Sequence, residues 1–594
     1  MNSSKRTLVV LFFVGLLVAA AIGMYLAPMM QDSIYETIQM WDSSKPFQIV
    51  PQTPKVMLVV SGIYAMLFLM MVTNHKATRA GEEHGSARWQ NPKDVCRRVC
   101  SPDFFQNRIL SMHVRIAIIG KSVLKSLNTF LVGGMGQGKS YYFMIANILQ
   151  CAGSMVVTDP SGELAERTGV FLKRYGYQVK VVDTERIVSS LRYNFFAYLT
   201  SEEEILEIVD IIFNATAGGE NKGNMDPMWE LLAKDRLTAY IALLWQRGLA
   251  EEKNMDTVLW LFEHDISEGD KEGNRKENAV SALFADEALR NPGNIATSKY
   301  LSSTKGAVET IMGVESTLSG RLGRFMIPVV REMMKTDELA LEKIGQEKTA
   351  LFLVIPSESK SFNFIISMIY AQIFRALFAQ GRKAPDKKLK VPVQFFLDEM
   401  ANIVLPKDFP TYLTTGRKHG ISFVCSLQDL AQAEKLFPGK VYETVIGTNS
   451  SFLYLGGSGK YTDEYISKWV GQQTITTSSQ TVGYGVHGHA SRSYQQQGRD
   501  LIRADELDNM PTSKCLVRIQ GHGWMMDSKY VPQSHPRYKE CADVTGEYYD
   551  WRMQSEQPSI CRVDSAVVQS EITIDADQIS AAALAAKYDL IWDD

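Results

Sequence analysis

Cysteine is scarce in this sequence, with 7 in 594 residues, and the first lies at Cys96. Cys96, Cys100, Cys151, Cys425, Cys515, Cys541 and Cys561 have no framework spacing. That excludes a small disulfide scaffold and predicts reduced thiols. Cys96 and Cys100 fit one helix face, but no two further ligands lie near them, so zinc is not expected. An excess of either charge is also missing: 63 basic against 66 acidic residues leaves −3. This excludes coating of nucleic acid by bulk charge and leaves room for a local basic channel. No internal repeat is visible, which excludes a solenoid.

Long apolar runs are present, and two of them open the chain. Residues 8–27 and 56–73 carry no charge. Each is near the length of about 20 apolar residues that spans a bilayer. A cleaved signal peptide would not be followed by a second run of this kind. Lys5 and Arg6 precede the first run, and Lys76 and Arg79 follow the second. Basic residues at both outer ends predict a membrane hairpin with both chain ends in the cytosol. Residues 1–79 are therefore read as a two-helix anchor.

Beyond residue 125 the pattern alternates between short apolar runs and helical stretches. Strands are expected at 129–132, 155–157, 179–182, 351–355, 393–397, 421–425, 452–455 and 516–519. Continuous apolar runs of this kind suit buried parallel strands, so the fold class is α/β. Between 200 and 340 the strand signal disappears. A capping box of Ser201 with Glu204 and a helix start at Asp226-Pro227 mark an inserted all-α domain. Residues 80–199 and 341–540 form the expected α/β domain around it. Residues 473–498, which include His487 and His489, read as a loop or exposed hairpin. Residues 541–594 read as an acidic, solvated tail.

Gly133-Gly134-Met135-Gly136-Gln137-Gly138-Lys139-Ser140, followed by Tyr141, fits the phosphate-binding loop pattern G-x-x-x-x-G-K-[ST]. An apolar strand precedes it and a helical run follows, as that loop requires. Glycines let backbone N–H groups turn inward onto phosphates, and the helix N-terminus adds its positive end. Lys139 is expected on the β- and γ-phosphates and Ser140 on Mg²⁺. Such a site needs an acid on the metal side. Asp398 and Glu399, after the apolar run 393–397, supply Mg²⁺ binding and a general base for water. ATP hydrolysis is the expected reaction.

With these motifs the chain resembles the TraG/TraD-type coupling proteins of type IV secretion and conjugation, relatives of the RecA-like and FtsK-type motors. His84-Gly85-Ser86-Ala87-Arg88-Trp89 follows the second apolar run as a similar segment does in that family. Thr158-Asp159-Pro160-Ser161-Gly162-Glu163-Leu164 is similar to its D-P-K-G-E segment, with Ser161 where lysine is usual. Arg192-Tyr193-Asn194 resembles R-Y-N-P, with Phe195 in place of proline. Arg499, Leu501 and Asp505-Glu506-Leu507 resemble the family's closing motif, and a structural role is expected for them.

The resemblance implies a RecA-like motor domain and a bacterial inner-membrane protein whose bulk lies in the cytoplasm. It implies a homo-hexamer in which Arg417 serves as an arginine finger and Gln428 senses the γ-phosphate. The partners it implies are type IV channel components, relaxase and DNA, and protein effectors. An FtsK-type segregation motor and an ATP-switched receptor are the alternatives. The helical insertion at 200–340 speaks against the segregation motor.

Overall fold

The protein is described from a computed structural model. It describes residues 3–28, 49–73, 82–120, 123–216, 227–265, 277–356, 361–482 and 490–552. The chain divides into two compact units: residues 1–86 with 472–499, and residues 87–471 with the remainder.

The first unit contains the helices Ser3–Leu26 and Thr53–Thr73. At 1.5 Å per residue, each is roughly 30 Å or longer. Two glycines let them approach: a Cβ at Gly15 would fall 1.9 Å from the Tyr64 hydroxyl, and one at Gly23 2.7 Å from Met57 Cα. Tyr64 donates to the Leu11 carbonyl at 3.2 Å, and Phe12 packs on Tyr64 and Phe68. The outward faces remain apolar, with Leu17, Leu58 and Met71 more than 70% exposed. The same unit holds a β-hairpin, Gln472–Val482 with Ala490–Asp500, in the region read as loop or hairpin. His487 and His489 lie outside the described residues.

The second unit is built on a nine-stranded sheet. In chain order its neighbourhood begins with a small antiparallel pair, β1 (Asn107–Ile109) and β2 (Arg115–Ala117). The large sheet takes β3 (Thr129–Val132), β4 (Ser154–Asp159), β5 (Gln178–Asp183), β6 (Thr349–Val354), β7 (Val393–Leu397), β8 (Ile421–Leu427) and β9 (Ser451–Tyr454). With the hairpin strands numbered β10 and β11, it closes with β12 (Lys514–Ile519) and β13 (Gly523–Ser528). The order is β13-β12-β9-β3-β8-β7-β4-β6-β5. β9 through β5 are parallel, and β12 and β13 add an antiparallel edge.

Period-two alternation splits each strand between two apolar layers. Phe130, Val132, Val156, Leu351 and Leu353 face one layer, and Leu131, Met155, Val157, Ala350 and Phe352 face the other. The first layer includes the helix Asn363–Lys383. That helix is long and apolar enough to cross a membrane, but 78% of it is buried, so it is a core helix. Arg108 pins the other end of the sheet, bonding Leu127 O, Thr129, Gln394 and Ser422.

Residues 200–340 form helices from Glu202–Thr216 to Pro328–Met333, with no strand among the described residues. Buried Arg236 pairs with Asp265 at 2.8 Å, and Asp265 also accepts from Tyr240 and Tyr300. The Glu204 carboxylate reaches back to Thr200 N–H at 2.6 Å rather than to Ser201, one residue from the expected capping box. Asp226 lies outside the described residues, and its helix is described from Pro227.

Tyr193 bonds Gln372, and Asn194 bonds the Lys253 and Lys335 carbonyls, so this segment ties the helices to the sheet. Packing continues beyond residue 540. Tyr549 lies against Gly169, Trp551 donates to Asp183 at 3.0 Å, and Asp543 pairs with Arg167. The rest of the tail, from 553, and Cys561 with it, lie outside the described residues. The six described cysteines are free.

Candidate nucleotide site

β3 ends at Val132 and the chain turns at once through the glycine loop. Gly133 N–H donates to Leu427 O at 3.2 Å and Gly134 N–H to Gly456 O at 3.0 Å. These bonds hold the loop against the strands on either side. A Cβ at Gly134 would lie 1.7 Å from Gly457 O, so only glycine fits. Gly136 and Gly138 take φ of +73° and +75°, the left-handed region that glycine enters without strain. Helix follows directly, with a π-helical opening over Lys139–Ile145. Met135 stands at the loop tip, 85% exposed.

The Lys139 ammonium folds back over the loop and donates to Gly133 O at 2.9 Å. Gln137 is braced from behind: Lys529 Nζ donates to its carbonyl at 3.0 Å and its Oε1 at 3.1 Å. Burial pushes the Lys529 ammonium below its ordinary range. Tyr141 accepts from Gln533 Nε2 at 2.6 Å, and Arg167 lies over its ring.

The acids arrive from β7, one strand removed, because β8 runs between β3 and β7. Ser140 Oγ donates to Asp398 Oδ2 at 3.3 Å, and Ser426 Oγ and Glu399 N–H donate to Oδ1 at 2.8 and 3.0 Å. Asp398 is fully buried, and burial raises its pKa. A buried carboxylate beside a serine hydroxyl is a donor pair suited to a hard divalent cation, so the residues present fit Mg²⁺.

Glu399 sits at φ +47°, a left-handed position that turns its side chain sharply off the strand. Its two carboxylate oxygens accept from Gln428 Nε2 at 3.2 Å and Asn402 Nδ2 at 2.9 Å. The fold thus gathers Gly133–Ser140, Asp398, Glu399 and Gln428 at the C-terminal edge of the parallel strands. Arg417 is not among them. It precedes β8 at the opposite edge, where its guanidinium bonds Lys125 O at 3.0 Å. Seven residues of strand separate the two edges, roughly 20 Å at 3.3 Å per residue.

Sequence reasoning passed over several groups here. Asp159 ends β4, and continuing the β4–β7 register places it opposite Asp398. It is buried, one oxygen accepts from Ala165 N–H at 2.9 Å, and the other has no hydrogen-bond partner among the described residues. Burial raises its pKa to about 7, with Asp398 adding to the rise. A strand-end acid in the 158–164 segment was the available signal. Asn402, Ser426 and Lys529 left none, because only the fold brings them in.

Fold and site define a class: an α/β protein whose parallel sheet presents a glycine loop, a lysine and two acids at one edge. The family model for type IV secretory system conjugative DNA transfer matches residues 111–536. This chain belongs to that family. The conjugal transfer protein TraG of Agrobacterium fabrum is 22% identical over 406 residues, covering 67% of this chain and 59% of the relative. The TraG protein of Escherichia coli is 23% identical over 537 residues, covering 81% of this chain and 80% of the relative. The chain spans about three fifths of the length of several curated relatives, among them TraG of Sinorhizobium fredii at 60%.

Among solved structures, the unbound conjugative coupling protein TrwB superposes with TM-score 0.53 at 14% identity, covering 76% of this chain and 96% of that one. TrwB in complex with ADP and Mg²⁺ gives TM-score 0.51 at 14% identity, covering 76% of this chain and 97% of that one. This likeness establishes a shared fold.

Proposed function

We propose that this chain is a membrane-anchored ATPase coupling protein that brings relaxase–DNA or protein substrates to a type IV secretion channel and drives their transfer. One observation carries the reading. Lys139, Ser140, Asp398, Glu399 and Gln428 converge on a glycine loop at one sheet edge. In this reading Lys139 and the loop N–H groups hold the phosphates, and Ser140 with Asp398 holds Mg²⁺. Mg²⁺ held there would supply charge neutralisation for the phosphates during transfer. Glu399 takes the proton of the attacking water and Gln428 sets its orientation. The TrwB complexes with an ATP analogue and with ADP and Mg²⁺ support this choice of ligand.

The domain is RecA-like on this account. The strand order, with β8 between the loop strand and the acid strand, supports it. In this reading the apolar helix pair is the membrane anchor; its exposed apolar faces support that, and the basic residues outside it support a cytoplasmic side for the bulk of the chain. Arg417 completes a neighbour's site in a hexameric ring.

Full-length protein in detergent tests the reading by ATP hydrolysis and nucleotide binding. Lys139→Ala should abolish both. Glu399→Gln should bind ATP at near wild-type affinity and lose on the order of a thousandfold in turnover, the worth of a positioned general base. Wild-type turnover in Glu399→Gln would refute the assignment of the base.

A further inference from the structure

The two amides on Glu399 both trace to the wall of one cleft. It has a volume of about 970 Å³ and lies between the helical domain and the segment after β7. Asn402 lines it directly. Gln428 reaches it through Gln432, whose Oε1 accepts the Gln428 N–H at 3.2 Å. Arg324, Lys407 and Lys435 line the cleft, and no acidic side chain does among the described residues. Lys407 is held by Asp210 at 3.1 Å, and Arg324 bonds the Ser361 carbonyl at 3.2 Å. Asn363 also lines the cleft. Its Nδ2 donates to Asn402 O at 2.8 Å, while its Oδ1 is buried with no hydrogen-bond partner among the described residues. The side chain is 7% exposed.

We propose that Asn402 is a positioning residue that holds Glu399 away from water until the phosphodiester backbone of a nucleic-acid strand enters this cleft. The proposal rests on the ATPase reading above. A general base must present a lone pair to its water. Each oxygen keeps a second lone pair, so the two amides act by fixing the orientation of the Glu399 carboxylate, and that orientation competes with the one its water needs. Arg324 and Lys435, with Lys407 shared with Asp210 and no acid lining the cleft among the described residues, make it attractive to a phosphate chain and leave recognition independent of base sequence. A strand seated there competes for Asn363 and the turn that carries Asn402. Movement of that turn withdraws the amide and frees Oε2. Loss of one hydrogen bond to a carboxylate shifts such an equilibrium by about tenfold.

The test is ATP hydrolysis by the full-length protein in detergent, with and without oligo(dT), for wild type, Asn402→Ala and the isosteric Asn402→Asp. Asp at 402 repels Glu399, so both variants release it. The expected result is a rate without oligo(dT) raised about tenfold in both variants, with little further stimulation on adding it. A structural role alone would lower the rate instead. Wild-type or reduced basal rates in both variants, with normal melting curves, would overturn the clamp. Equal stimulation by polyglutamate would overturn the nucleic-acid strand as occupant. Full turnover by Glu399→Gln removes the underlying reading. An inactive Glu399→Gln beside wild-type behaviour of both Asn402 variants removes only the clamp.

Discussion

Asp159 offers a stability test that needs no nucleotide. It is buried at the end of β4, and burial moves its pKa from 3.8 to about 7. The change corresponds to about 4 kcal/mol at 1.36 kcal/mol per pH unit. Below pH 4 the folded and unfolded chains both hold the proton, and well above pH 7 neither does. Between those limits the folded chain holds a proton that the unfolded chain has released, so stability falls as pH rises. Asn at this position mimics the protonated acid and keeps an acceptor for Ala165 N–H. Asp159→Asn should therefore stabilise the nucleotide-free protein by under ~2 kcal/mol at pH 5 and by about 4 kcal/mol at pH 8. Urea denaturation in detergent at several pH values between these limits reads the difference directly. A gain that does not change with pH, or an Asn variant less stable than wild type at pH 8, would refute the reasoning.

The glycine loop allows a paired comparison. Gly134→Ala drives a methyl into Gly457 O and should abolish binding of a fluorescent ATP analogue. Gly136→Ala meets nothing within 4 Å but must hold φ at +73°. It costs roughly 1–2 kcal/mol of local strain and should weaken binding without abolishing it. Equal losses in the two would show that the contact with Gly457 is unimportant. Arg417→Ala should be inactive alone and regain turnover when mixed with Lys139→Ala subunits, since a mixed ring contains intact composite sites. No recovery at any mixing ratio would rule out action in trans.

Most of the parallel sheet was legible because buried strands are apolar on both faces. The expected runs at 129–132 and 393–397 coincide with β3 and β7, and the other six fall on strands within a few residues. β13 was not read. Trp524 and Met525 are buried but Met526 is exposed, so its edge position breaks the continuous run. The antiparallel direction of β12 leaves no mark on its own residues. At the site, the glycine loop stands out by its spacing, and the Asp-Glu pair stands out because it ends a buried strand in a chain that carries that loop. Asn402 does not. Its contact depends on Glu399 adopting a left-handed backbone, and nothing in Glu399-Met400-Ala401-Asn402 announces that. The family resemblance is borne out by the match over residues 111–536, which takes in the 158–164 and 192–194 segments, while 84–89 lies before it.

β8 connects the two ends of the chemistry. Ser426 and Gln428 at its C-terminal end meet Asp398 and Glu399, and Arg417 precedes its N-terminal end. A guanidinium reaches about 6–7 Å from its Cα, far short of the roughly 20 Å of strand between Arg417 and the loop of its own chain. Arg417 therefore does not reach the nucleotide loop of its own chain, and the proposed finger role requires another copy. Packing on both sides makes β8 rigid, because all seven of its residues are buried between β3 and β7. In the proposed ring, a rigid strand with Gln428 at one end and Arg417 at the other would give neighbouring sites a mechanical connection. If the proposed ring forms, a shift of Gln428 on hydrolysis and a shift of Arg417 at the next subunit would belong to one motion of one element.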